Sequence, residues 1–351
     1  MEKIRLALGT ALIAPYDAHV QEVCEVTPIG QLHAGRPLTQ EELIQQGRGH
    51  EIVFVSSDVV TREVLLDWQR HGLKLLGCGR GTPVNVDWKA VHELGIPLVY
   101  TPGRNAVSVA EYTFGMILGV VRRIGRSYHA LQNGQYLGEE KQNLLDVPQR
   151  NDVVWRMPDG SNPMRLFSGG FDLCERTMGL IGFGAIGSRV AAIARGFGME
   201  VNVYDPYCAK ERIEAVGARV CTLEQTLSQA DVVSIHLPVT PQTRGIVDAS
   251  WFAQMQPTAY FINTARAAVV DQQALIDALQ QRKIAGAALD VMWEEPCPQN
   301  HPLLHMENVL ITTHLGGMSQ DVDKWQSAMI ADEIMRYANG QPPQRVWTRT
   351  E

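Results

Sequence analysis

"GLIGFGAIGSRV", residues 179–190, runs from a short apolar strand through three glycines into the first turn of a helix. Gly182-Phe183-Gly184-Ala185-Ile186-Gly187 has the spacing of a dinucleotide-phosphate loop. Glycine there lets the backbone turn tightly and approach a pyrophosphate. The helix N-terminus supplies N–H donors and a favourable dipole. The spacing alone is a weak signal, but its context is right: strand before, helix after, and Asp205 ending the next strand, "EVNVYDP". Asp205 can accept from the ribose hydroxyls, and its charge repels a 2'-phosphate. NAD is therefore expected in preference to NADP.

Working outward, strand-like and helix-like runs alternate on both sides of the loop. Before it, residues 4–11, 51–57, 73–79 and 97–103 read as strands. The runs at 39–50, 61–72 and 85–96 have helical spacing, with Thr39, Thr61 and Asn85 near their starts as possible caps. From the loop's own strand, "MGLIGFG", to "VLITTH" there are seven strand runs. Short continuous apolar strands separated by helices imply parallel sheets covered on both faces. The run at 105–135 reads as one long helix. Residues 138–170 show no clear period and read as an extended loop longer than a simple connection needs, either a passive surface excursion or a lid or added interface surface. A final helix is expected within 319–340.

Bulk properties narrow the function. The chain has 351 residues, enough for two cores, and a net charge of -7 that gives no broad reason to bind nucleic acid or an anionic membrane. Cys24, Cys78, Cys174, Cys208, Cys221 and Cys297 are scattered without zinc-like spacing, so reduced thiols, a cytoplasmic protein and no metal are expected. No signal peptide or bilayer-spanning run is recognisable, and a soluble protein is expected.

Three charged side chains follow strand ends: Arg266 after "AYFINTA", Glu295 past "GAALDV", and His314 at the end of "VLITTH". Ligands of open parallel sheets bind beyond the carboxyl ends of the strands, where the glycine loop also lies. Arginine can hold a carboxylate and polarise the adjacent carbonyl. Histidine can give the carbonyl oxygen a proton as hydride reaches carbon, and a carboxylate beside the ring raises its pKa.

With these residues in place, the chain resembles the D-isomer-specific 2-hydroxyacid dehydrogenases over nearly its whole length. The likeness is carried by "GFGAIGSRVA", "HLPVTPQTRGIV", "FINTARAAVVDQQALIDAL", "GAALDVMWEEP" and "NVLITTHLGG". It implies a Rossmann NAD-binding domain, 107–318, inserted into a flavodoxin-like substrate domain made of 1–106 and 319–351, both doubly wound parallel sheets. It implies Arg266, Glu295 and His314 as the catalytic trio. Coenzyme contacts would fall on the loop glycines, Ala185, Ile186, Asp205, Leu237, Pro238, Thr243, Thr264, Ala265, Asp290, His314, Gly316 and Gly317, with Thr101 from the other domain. A homodimer through the helix near 107–126 is also implied.

The substrate, a small 2-hydroxy or 2-oxo acid, would meet Arg266 and backbone amides of "GCGRGTPVNVD", at Arg80, Gly81 and Thr82. Arg80, and Arg104 in "TPGRNA", depart from the family pattern. They suit either a second anionic group, phosphate or carboxylate as in 3-phosphoglycerate, or ordinary salt bridges. A second reading of the whole chain also stays open: a non-catalytic, NAD-sensing protein of corepressor type, whose partners are other proteins.

Overall fold

The computed structural model describes residues 2–137 and 162–348. The chain forms two compact units, Met1–Ser108 with Met318–Glu351, and Val109–Gly317. Their first boundary lies inside the helix Ala106–Val121.

The first unit holds five parallel strands, β1 (Ile4–Gly9), β2 (Cys24–Pro28), β3 (Ile52–Val55), β4 (Leu75–Cys78) and β5 (Leu98–Tyr100), in the order β2-β1-β3-β4-β5. That is the flavodoxin-like order. β3 and β4 are buried at every residue, which explains their unbroken apolar sequence. Helices cover both faces. Gln40–Gly47 starts at Thr39, whose side chain accepts from the Glu42 N–H while Glu42 reaches back to the Thr39 N–H, a reciprocal cap. Trp88–Glu93 is capped by Asp87 rather than by Asn85, whose amide instead donates to the Asp58 carbonyl. The last helix, Val322–Ala338, sets Ile330, Ala331 and Ile334 into a cluster with Leu6, Phe54, Leu75 and Val99.

The second unit holds seven parallel strands: β6 (Thr177–Ile181), β7 (Glu200–Tyr204), β8 (Arg219–Val220), β9 (Val232–Ile235), β10 (Tyr260–Asn263), β11 (Gly286–Leu289) and β12 (Val309–Ile311). The order β12-β11-β10-β9-β6-β7-β8 reverses direction between β6 and β9, so the glycine loop after β6 sits at the switch point of the sheet.

The run at 105–135 is two helices, Ala106–Val121 and Ile124–Gln132, not one. The break is at Arg123, in the left-handed region at φ 56°, with its guanidinium donating to the Leu166 carbonyl. Of the expected loop region, 138–161 lie outside the described residues; the remainder carries the short helix Pro163–Phe167, capped by Asn162. Among the described residues no helix is long and apolar enough to cross a membrane, and no group of His, Cys, Asp and Glu could hold a metal ion.

Candidate active site

The three glycines of the loop do three different things. Gly182 has φ +93°, and a Cβ there would stand 2.7 Å from the His236 carbonyl oxygen. A Cβ on Gly187 would stand 2.2 Å from the Gly182 carbonyl oxygen, so the helix Gly187–Gly196 packs on the strand only without a side chain. Above Gly184 the space is open. A tight turn, a clear approach and a helix N-terminus beyond it fit the pyrophosphate of a dinucleotide.

Asp205 follows β7 and faces this loop. Its Oδ2 accepts from the Phe183 N–H at 2.7 Å, and its Oδ1 accepts from the N–H groups of Tyr207 and Cys208 at 2.9 and 3.2 Å. A carboxylate has about four acceptor positions. These three bonds leave room for a ribose hydroxyl while the negative charge stays at the loop.

Past β9, Leu237 is half-buried and Pro238 exposed. Thr243 staples this loop: its hydroxyl donates to the Pro238 carbonyl at 2.6 Å and accepts from the Thr240 N–H at 2.8 Å. His236 is a residue the sequence reading passed over. Burial pushes its imidazole down to about 3, so it is neutral; one ring nitrogen meets the Ser234 hydroxyl at 2.9 Å.

At the end of β10, buried Asn263 shapes the turn. Its Oδ1 accepts from the Ala265 N–H and its amide donates to the Arg266 carbonyl, both at 3.0 Å, leaving the Arg266 side chain exposed. Thr264 points inward, its hydroxyl 2.8 Å from that of Thr113, which donates to the Val109 carbonyl. Its side chain is thus committed to the core, and its backbone is what remains for a coenzyme.

Asp290, after β11, is 1% exposed and held by three donors of its own chain. Oδ1 accepts from the Thr312 hydroxyl at 2.7 Å and the Leu315 N–H at 2.8 Å, and Oδ2 accepts from the Gly316 N–H at 2.7 Å. A Cβ on Gly316 would lie 2.9 Å from Oδ2, so glycine is needed for this approach. Between those anchors His314 takes a left-handed backbone, φ +62°. Gly317 follows, half-buried.

His314 Nδ1 lies 2.8 Å from Glu295 Oε2, while Glu295 Oε1 accepts from the Met292 N–H at 3.0 Å. Burial tends to push the Glu295 carboxyl up. The hydrogen bonds from His314 and Met292 and the charges of His314 and Arg266 outweigh it and hold the group below its ordinary range. Arg266, Glu295 and His314 together line one cleft of about 590 Å³, with Val239, Arg244 and Trp293 on its walls. Arg80, Gly81, Thr82, Thr101 and Arg104 belong to the first unit, where Arg80 to Thr82 follow β4 and Thr101 follows β5.

A Rossmann sheet with its phosphate loop at the switch point, and a cation in one cleft with a His–carboxylate pair, fit the site of a nicotinamide-dependent oxidoreductase. The sequence model described as "D-isomer specific 2-hydroxyacid dehydrogenase, NAD binding domain" matches residues 114–316. The chain belongs to the D-isomer-specific 2-hydroxyacid dehydrogenases, an NAD-dependent family.

It is 31% identical to D-3-phosphoglycerate dehydrogenase of Methanocaldococcus jannaschii over 330 residues, 93% of this chain and 57% of that protein. It is 35% identical to glyoxylate reductase of Aeropyrum pernix over 266 residues, 76% of this chain and 73% of that one. The chain therefore spans just over half the length of the first of these relatives. The fold is shared with apo D-mandelate dehydrogenase of Rhodotorula graminis, at TM-score 0.81 and 24% identity, covering 99% of this chain and 98% of that one.

The Asp205→Ala variant is expected to narrow the preference for NADH over NADPH by about tenfold, a loss of ~1.4 kcal/mol of discrimination. Steady-state kcat/KM with each coenzyme measures it. NADPH preference in the parent enzyme would refute the ribose argument.

Proposed function

We propose that the protein interconverts a D-2-hydroxy acid and its 2-oxo acid, with Arg266, Glu295 and His314 as the catalytic residues. The observation that carries this reading is the 2.8 Å His314–Glu295 pair in the same cleft as Arg266. The nicotinamide, when bound, supplies or accepts the hydride. Arg266 holds the substrate carboxylate and draws electron density toward the adjacent carbonyl oxygen. Glu295, ionised and fixed by the Met292 N–H, accepts from Nδ1 and so orients the ring with Nε2 toward the substrate oxygen. As C2 gains hydride, Nε2–H gives its proton to that oxygen; in the oxidative direction Nε2 takes it back. Asp290 contributes by holding Thr312, Leu315 and Gly316 on either side of His314.

NADH consumption with a panel of 2-oxo acids tests the proposal. Coenzyme binding without turnover of any of them would favour the sensing protein instead.

Glu295→Gln is expected to move the pH profile of oxo-acid reduction toward acid, because the imidazolium loses its neighbouring charge. In the parent, the carboxyl lies below its ordinary range, so Glu295 is ionised at neutral pH and loses that charge only as pH falls and it takes up a proton. A profile of kcat/KM against pH, compared with the glutamine variant, checks the sign.

A cytoplasmic homodimer through the helix region near 107–126 completes the reading, with an apolar surface continuing just beyond it. On the helix Ile124–Gln132, Ile124, Tyr128 and Leu131 recur at helical spacing and are exposed, an apolar stripe that a second copy would cover. The six cysteines are free thiols, which suits a reducing compartment.

A further inference from the structure

Within the first unit, two guanidiniums, Arg80 and Arg104, stand at the carboxyl ends of β4 and β5, and among the described residues neither makes a salt bridge. Arg104 donates instead to a neutral group, Gln326 Oε1, at 2.8 Å. Gln326 is 2% exposed and is fixed in turn, its amide donating to the Thr10 hydroxyl at 2.9 Å and the Ala11 carbonyl at 3.1 Å. A Cβ on Gly79 would fall 2.2 Å from the Thr10 hydroxyl, so the glycine before Arg80 makes room for this network. Arg104 is thus aimed by a built support rather than left on the surface.

The backbone ties the two arginines together through Thr101. Its N–H donates to the Arg80 carbonyl at 3.2 Å, and its carbonyl accepts from the Arg104 N–H at 3.4 Å. Thr101 is 1% exposed and its hydroxyl is a buried polar atom without a hydrogen-bond partner. Such an atom costs on the order of 1–3 kcal/mol when nothing meets it.

Electrostatics agree that the two charges share one place. Burial lowers the Arg104 guanidinium and the like charge of Arg80 adds to this, against the opposing Asp323 and Cys78. Burial pushes the Cys78 thiol up to about 11, and both arginines act against that rise. Two neighbouring cations, with no carboxylate hydrogen-bonded to either among the described residues, are a receptor for an oxyanion.

We propose that Arg80 and Arg104, tied together through the Thr101 backbone, form an anion subsite in the first unit that selects substrates carrying a second acidic group, a carboxylate or a phosphate. The inference rests on the proposed 2-hydroxy acid activity for its choice of substrate, but the site itself can be tested apart from turnover.

The first arm is kinetic. With NADH saturating, kcat/KM is measured for pyruvate, oxaloacetate and phosphohydroxypyruvate in the parent and in Arg80→Gln and Arg104→Gln. The parent is expected to prefer an acid with a second anionic group over pyruvate. Each arginine variant should lower that preference at least about tenfold, chiefly through KM, one charge-assisted contact being lost. Whether the oxaloacetate or the phosphohydroxypyruvate ratio falls further distinguishes carboxylate from phosphate. An unchanged ratio in both arginine variants overturns the proposal.

The second arm is binding. Inorganic phosphate and malonate are titrated into the full chain and followed by Tm, which should rise for the preferred anion in the parent and stay flat in Arg80→Gln. Arg80 makes no side-chain hydrogen bond among the described residues, so its variant keeps the fold even if Arg104→Gln does not. A parent that turns over no 2-oxo acid yet shows the Arg80-dependent shift would sink the reaction and keep the subsite. A parent that turns over pyruvate without either ratio or shift responding to Arg80 would do the reverse.

Discussion

Replacing His314 with alanine is expected to lower kcat for 2-oxo acid reduction by about 10²- to 10⁴-fold, roughly 3–5 kcal/mol of barrier, while NADH affinity stays nearly unchanged. The argument is one of protons. Hydride arrival at C2 leaves charge on oxygen, and Nε2 is the nitrogen left over once Nδ1 is held at 2.8 Å by Glu295. Alanine has a second effect, because residue 314 sits at φ +62°. A left-handed residue with a plain Cβ costs on the order of 1–2 kcal/mol, whereas asparagine tolerates that region better. His314→Asn therefore separates the two contributions: it should recover thermal stability without recovering turnover. Undiminished turnover in the asparagine variant would remove the acid–base role.

Arg266→Ala is expected to lower kcat/KM by about 10²- to 10³-fold, the range for losing a group that meets developing charge. Arg266→Lys should restore little of it, because an ammonium lacks the planar fork that spans a carboxylate and its neighbouring oxygen. Stability should change little, since the side chain is exposed and the turn beneath it is held by Asn263. NADH titration by fluorescence, run beside the kinetics, should show coenzyme affinity close to the parent's. Equal losses of coenzyme affinity and turnover would place Arg266 in coenzyme binding instead.

The sequence was most legible where one physical demand governs a whole run. Strands buried at every residue, such as Ile52–Val55 and Val232–Ile235, announce themselves as continuous apolar segments. Cys24–Pro28 does not, because as an edge strand it buries only Cys24. The helix break at Arg123 was hidden because no glycine or proline marks it, and the left-handed residue is held by a partner far along the chain, Leu166.

In the candidate site, the residue types and their strand-end positions could be read, but not where their hydrogen bonds go. Thr264 and Asp290 look alike on paper as polar residues at strand ends. One is buried against Thr113, and the other secures the histidine loop through three bonds. Asp205 likewise is readable as a ribose acceptor, whereas its three backbone donors are a matter of tertiary placement.

The interrupted connectivity of the first unit bears on biogenesis. On the ribosome, β1 to β5 emerge well before Ile330, Ala331 and Ile334, the residues that close the apolar surface formed by Leu6, Phe54, Leu75 and Val99. Until the intervening domain has been synthesised, that half-finished sheet stays sticky and open to misassociation. Early collapse of the inserted domain would shorten the effective tether between the two separated pieces and lower the entropic cost of their reunion.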